Sequence, residues 1–160
     1  MIRLCKVSVR LSDMDMSTPP DQILLTSEAL AVESTVAAIS DPSAGGIAFF
    51  LGITRAETNA DGRPLLALDY EAYPEMAHAQ LADLARRARD RWHISRLAIL
   101  HRTGRVAVGG ASVLVAASTP HRAEAFEACK WLIDTLKSEA AIWKKEIWGD
   151  GTSTWVHPDL

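Results

Sequence analysis

The sequence is poor in the residues on which many protein chemistries depend. Only two cysteines, Cys5 and Cys129, occur in 160 residues. They show no metal-type spacing, so a disulfide framework is not expected and a reducing cytoplasm is the expected setting. The five histidines, His78, His93, His101, His121 and His157, lack Cys or acidic partners at ligand spacing, which argues against a metal site. No G-x-S-x-G elbow is present, and Cys129 falls on the apolar stripe of a helix, where a thiol is inert. Gly45, Gly46 and Gly52 fit neither the dinucleotide nor the P-loop spacing and read as close packing or a bulge, so no cofactor is expected. No apolar run approaches membrane length. The first ten residues carry Arg3, Lys6 and Arg10 through an alternating pattern, which reads as a strand and not as a signal peptide. A net charge of −3 argues against a general nucleic-acid binder, while leaving room for a local basic pocket.

What is present is a chain that is 48% hydrophobic, enough for one domain with a real core over residues 1–160. Residues 2–9 alternate like a strand, and a polar, Pro-containing loop follows. Residues 22–26 read as a second short strand. Ser27 is placed to cap a helix over 28–39, which Asp41-Pro42 stops. The runs 47–53 and 65–73, joined by TNADGRP, suggest a long hairpin. A helix over 74–92 presents Met76, Leu81, Leu84 and Ala88 inward, and its arginines 86, 87, 89 and 91 read as a solvated face. Strands at 94–108 and 111–118 meet at Gly109-Gly110. A helix over 120–138, a strand-like AIWKKEIW and a last short strand complete the order. Helices interleaved with antiparallel hairpins give an α+β fold.

The chain is organised around TPHRAEAFEACKWLIDTLKSEAAIWKKEI, residues 119–147. Thr119 suits an N-cap and Pro120 the first helical position, and Phe126, Cys129, Ile133 and Leu136 form an inward stripe. His121 and Arg122 then break a local rule, because the first turn of a helix favours negative charge. Cations beside free N–H groups make a seat for an anion such as a phosphate. Lys137, Lys144 and Lys145 follow, close to apolar and aromatic residues, where lysines can serve as acids, bases or nucleophiles. Arg122 and Lys137 lie fifteen positions apart, roughly 22 Å along a continuous helix. They therefore serve two subsites, or a symmetric dimer joins the helix start of one protomer to the Lys137 end of its partner.

These residues carry a family resemblance. The blocks AGGIAFFLGITR, LDYEAYPEMA, HRTGRVAVGGASVLVAASTPHRAEAFEAC and IDTLKSEAAIWKKE, with a terminal WV, span about residues 44–156 in an order and spacing that resemble the large, catalytic subunits of molybdopterin synthase. The resemblance implies a hammerhead-type α/β core with an added antiparallel β subdomain. It also implies a homodimer carrying a small ubiquitin-like subunit at each end, in a heterotetramer. In that family a C-terminal Gly-Gly thiocarboxylate of the small subunit gives sulfur to cyclic pyranopterin monophosphate, forming the dithiolene of molybdopterin in molybdenum cofactor biosynthesis. The nucleophile comes with the partner, in keeping with a site that has cations and no nucleophile of its own.

By the same resemblance Lys137 and Lys144 match the catalytic lysines. Phe50, Ile53, Thr54 and Arg55 match the substrate pocket, and His121 and Arg122 match an anion-binding pair from the neighbouring large subunit. Lys145 and Glu146 match the lining of the substrate or tail channel. The chain departs from the family at Ala56, at Gly110 in place of Glu, and at Ala141 in place of a proline, the last expected to loosen the segment that aims Lys144. The alternative reading is a non-catalytic adaptor that keeps the fold and the small-subunit interface.

Overall fold

The computed structural model describes residues 21–156; the expected strand at 2–9, Cys5 and His157 lie outside them. Eight strands and three helices follow in the order β1 (Gln22–Thr26), α1 (Val32–Ala38), β2 (Gly46–Ile53), β3 (Leu65–Ala72), α2 (Pro74–Arg89), β4 (Arg96–Arg102), β5 (Gly104–Ala107), β6 (Ala111–Thr119), α3 (Arg122–Glu139), β7 (Ile142–Trp148) and β8 (Ser153–Val156). They form two four-stranded sheets, ordered β1-β4-β6-β2 and β5-β3-β7-β8. All pairings are antiparallel except the parallel β1–β4 pair. The α+β class and the additional antiparallel sheet are thus present.

The first sheet is covered on both faces, which explains why its inner strands read as continuous apolar runs and not as alternation. In β6, Val113, Val115 and Ala117 pack with Leu81, Leu84 and Ala88 of α2 and with Ala128, Leu132 and Leu136 of α3. The intervening Leu114 and Ala116 face the other way, against Ile39, Leu100 and the start of α1. The second sheet has a smaller core of Leu65, Leu68 and Trp148, with Tyr70 packed against it.

Four local expectations are corrected. The runs 47–53 and 65–73 are not a hairpin: β2 pairs with β6 and β3 pairs with β5 and β7, in different sheets. The turn residues between them form a loop closed by the Thr58–Pro64 bridge and by Asn59, whose side chain accepts from the Asp61 and Arg63 N–H groups. The strand expected over 94–108 is divided at Gly104, whose φ of +74° lies in the left-handed region that favours glycine. This turn sends β4 into the first sheet and β5 into the second. The first helix begins at Val32 instead of following Ser27, because Thr26 Oγ1 takes the Glu28 N–H in a turn. Thr119 is not an N-cap. It ends β6, wholly buried, and its hydroxyl donates to the His121 carbonyl at 2.7 Å, which leaves His121 as the extended residue before α3.

Two expected core residues point outward: Met76 is 50% exposed and Phe126 is 68% exposed. The arginine run is solvated at Arg86 and Arg91, as expected, and half-buried at Arg87 and Arg89. Arg86 pairs with Asp83 and Asp90, Arg89 holds Asp21 at the start of β1, and Arg91 lies 4.3 Å from the Trp131 ring centroid.

Candidate active site

The elements carrying the expected residues meet around the far end of β2. That strand runs beside α3, from Gly46 next to Arg122 to Phe50 next to Lys137. Close packing around this strand needs glycine before its start, against the lead-in to α3, and near its end, against β6. A Cβ at Gly45 would lie 2.3 Å from the Pro120 carbonyl oxygen, and one at Gly52 would lie 2.5 Å from Val113 Cγ1 and 3.2 Å from the Phe50 ring. Close packing, as expected for these glycines, is therefore their role. The Phe50 ring is held over the bare backbone of Gly52, and Lys137 Nζ sits 5.6 Å from its centroid, within reach of a cation–π contact.

Beyond Phe50 the edge continues through Ile53, 56% exposed, and Thr54, which is buried. Thr54 is fixed by two backbone bonds, its N–H to the Gly110 carbonyl at 2.9 Å and its carbonyl from the Gly109 N–H at 2.8 Å. Its Oγ1 has no hydrogen-bond partner. Arg55 then emerges into solvent, with its guanidinium on Glu57 Oε1 at 2.5 Å. A Cβ at Gly110 would press on Val106 Cγ1 at 2.9 Å and the Ala107 carbonyl at 3.0 Å, so a larger residue there needs a shifted turn behind Thr54.

β7 distributes its charges over two faces. Lys144 and Glu146 pair in register with Tyr70 and Leu68, and so share the face of the small core. Lys145 lies on the opposite face, ion-paired with Glu71 and with its Nζ 4.2 Å from the Trp155 ring centroid. Glu71 and Trp143 on that face border an open hollow of about 480 Å³ with Tyr73 and Met76. Lys144 and Lys145, adjacent in sequence, therefore address different surroundings. The segment leading to them is tethered: the Ala141 N–H donates to Gln80 Oε1 at 2.7 Å. A proline could not make this bond, so the expected loosening at Ala141 is countered by a side chain of α2.

His121 and Arg122 are exposed at the start of α3. The helix is continuous to Glu139, so they stand roughly 22 Å from Lys137 along it. Within one chain the structure thus brings Lys137 onto Phe50, carries Ile53, Thr54 and Arg55 further along the same segment, pairs Lys144 with Tyr70 in the second sheet, and leaves His121 and Arg122 apart.

The sequence reading passed over a buried group behind this site. His101 is 5% exposed and stands edge-on to Tyr70 with centroids 5.1 Å apart. Its Nδ1 lies 2.8 Å from the Arg102 carbonyl, which requires a proton on that nitrogen. Burial pushes its pKa down to about 4. Tyr70 donates to Ser112 Oγ at 3.2 Å, and Ser112 in turn reaches the Gly52 carbonyl at 3.4 Å. Burial holds the Tyr70 phenol above its ordinary pKa, so it remains a donor. Burial likewise raises the Cys129 thiol to about 11, as suits the inert thiol expected. Among the described residues no group of three or more His, Cys, Asp or Glu is arranged to hold a metal, and no helix is long and apolar enough to cross a membrane.

The chain is similar to known proteins over most of its length. The family model described as MoaE protein matches residues 25–139. The molybdopterin synthase catalytic subunit of Nostoc sp. is 44% identical over 137 residues, covering 85% of this chain and 82% of that protein. The catalytic subunit of Rattus norvegicus is 37% identical over 91% of this chain and 72% of its own length. Among solved structures, molybdopterin synthase from Staphylococcus aureus superposes with a TM-score of 0.80 at 32% identity, over 86% of this chain and 98% of that one. With its fold, its lysine-bearing helix and strand, and these relatives, the chain belongs to the MoaE family, the catalytic subunits of molybdopterin synthase.

Proposed function

We propose that this protein transfers sulfur from the C-terminal thiocarboxylate of a small ubiquitin-like subunit to cyclic pyranopterin monophosphate, building the dithiolene of molybdopterin. The observation that carries the reading is Lys137 held on Phe50 at the end of β2, with Thr54-Arg55 leading away from the same point. A cation fixed there is suited to the phosphate and to charge that develops as a thiocarboxylate sulfur attacks a substrate carbon. The attack forms a carbon–sulfur bond as a carbon–oxygen bond at the same carbon breaks, the oxygen leaving on the phosphate or, protonated, as water, and it leaves the sulfur acylated by the small subunit. A second thiocarboxylate delivers the second sulfur in the same way. Water then breaks the acyl–sulfur bond, returning a carboxylate on the small subunit and a thiolate on the product. Lys137 and Lys144 assist the proton transfers of these steps.

The homodimer in this reading is supported by β2, an edge strand among the described residues, with exposed Ile47 and Phe49, and by exposed Phe126 near Arg122. Such a strand invites a protein partner. A second protomer would bring His121 and Arg122 to the phosphate end of the substrate. Lys145 and Glu146 would line the route of the tail, in a cytoplasmic heterotetramer.

The test is to mix the protein with a thiocarboxylated small subunit and cyclic pyranopterin monophosphate and to follow the dithiolene product by mass. Product from this protein, and none from Lys137→Ala with its oligomeric state unchanged, is expected. A stable complex with the small subunit that forms no product would replace this reading with the adaptor.

A further inference from the structure

We propose that Tyr70 is a positioning residue that holds Lys144 in place relative to the Lys137–Phe50 pair. The two lysines sit on different bodies: Lys137 on α3, packed against the first sheet, and Lys144 on β7 of the second. Their spacing depends on what fastens one sheet to the other. Tyr70 stands at that junction. In register it is the direct partner of Lys144 across the β3–β7 ladder, so the two side chains share a face with Cβ atoms roughly 5 Å apart.

From there a continuous set of contacts leads to the other lysine. The Tyr70 hydroxyl donates to Ser112 Oγ, and Ser112 touches the Gly52 carbonyl. The Phe50 ring lies over Gly52, and Lys137 lies over that ring. Ser112 is suited to this link by the register. Gly52 pairs with Val113 and Ile53 with Ala111, so Ser112 is the extra residue of a bulge, free of the strict alternation of β6 and able to turn its hydroxyl toward the second sheet. The edge-on His101 ring fixes the plane of Tyr70 from the β4 side. A phenol is long enough to span the two sheets while filling apolar space, and its hydroxyl gives the contact a direction.

This inference rests on the sulfur-transfer reading for its kinetic arm, so the experiment has a second arm that does not. Tyr70→Phe keeps the ring and removes the bond, Ser112→Ala removes the same bond from the other side, and Ser112→Thr keeps a hydroxyl. In single-turnover sulfur transfer, Tyr70→Phe and Ser112→Ala should each lower the rate about tenfold with substrate affinity within about twofold. The double variant should be no slower than Ser112→Ala, because that change already removes the Tyr70 bond together with the Ser112 contact to the Gly52 carbonyl. Ser112→Thr should recover most of the rate.

In parallel, lysines carrying ¹³C-methyl labels report their surroundings by NMR without any turnover. The Lys144 resonance should move in Tyr70→Phe and in Ser112→Ala, while those of exposed lysines such as Lys130 stay. A wild-type protein that makes no product would refute the sulfur-transfer reading, and the NMR arm would still decide this one. An unmoved Lys144 resonance in both variants overturns the positioning role. So does an unchanged rate, or a loss of rate matched only by a loss of folded protein in urea.

Discussion

Lowering the pH from 7.5 to 4.5 should destabilise this protein through one residue, His101. In the fold its imidazole is 5% exposed, and burial holds its pKa at about 4. In the unfolded chain the same group titrates near 6.5. Between those values the unfolded chain takes up a proton that the folded chain refuses. The stability contributed by neutral His101 is therefore fully present above pH ~6.5 and is lost as the pH falls toward 4. At pH 4.5 the ratio of the two binding polynomials is on the order of 100, worth roughly 2–3 kcal/mol, and at pH 5.5 it is on the order of 10, worth roughly 1 kcal/mol. Asp41, Asp83 and Asp150 have carboxyl pKa values lowered by hydrogen bonds to Ser43, to Arg86 and to Thr152. Their contributions are present above the ordinary carboxylate range and fade below it, outside this window. Urea unfolding followed by tryptophan fluorescence at pH 7.5, 5.5 and 4.5 reads the loss as a falling midpoint at constant slope. His101→Asn, which keeps a donor near the Nδ1 position, should start less stable at pH 7.5 but lose little more on acidification. Equal pH-dependent losses in the two proteins would refute the assignment to His101.

Three further outcomes are expected. Gly52→Ala should cost about 1–3 kcal/mol in urea unfolding, since its Cβ would meet Val113 at 2.5 Å, and it should weaken sulfur transfer by displacing Phe50; a neutral effect on both would contradict the packing described. Gln80→Ala removes the acceptor of the Ala141 N–H and should lower the transfer rate severalfold. Adding Ala141→Pro to that variant should recover it, because Ala140 at φ −71°, ψ 134° already has the conformation that precedes a proline, and failure to recover would show that the tether does not act through segment stiffness. Arg122→Ala should raise the apparent dissociation constant for cyclic pyranopterin monophosphate about tenfold or more in a binding titration while leaving stability unchanged; unaltered affinity would remove Arg122 from the phosphate seat.

Much of this was legible in the chain itself, for reasons local to it. Helical spacing located α2 and α3 because 3.6-residue periodicity is a property of one segment meeting one face. The apolar run at 111–118 marked a strand, and the misplaced cations at His121 and Arg122 marked a helix start worth attention. The lysines on α3 and β7 were found by their apolar neighbours and by family pattern. What the sequence by itself could not decide is pairing. Two apolar runs joined by strong turn residues look like a hairpin whether or not they hydrogen-bond to each other. Here β2 belongs with β6 and β3 with β7, in two sheets with separate cores. A positive φ at Gly104 likewise splits one apparent strand between two sheets. The same long-range choices put Lys144 and Lys145 on opposite faces, since register fixes which side of a ladder each residue takes. They also bring Tyr70, Ser112 and His101 together from three strands. No spacing in one segment announces such a cluster, because its members become neighbours only when the two sheets meet.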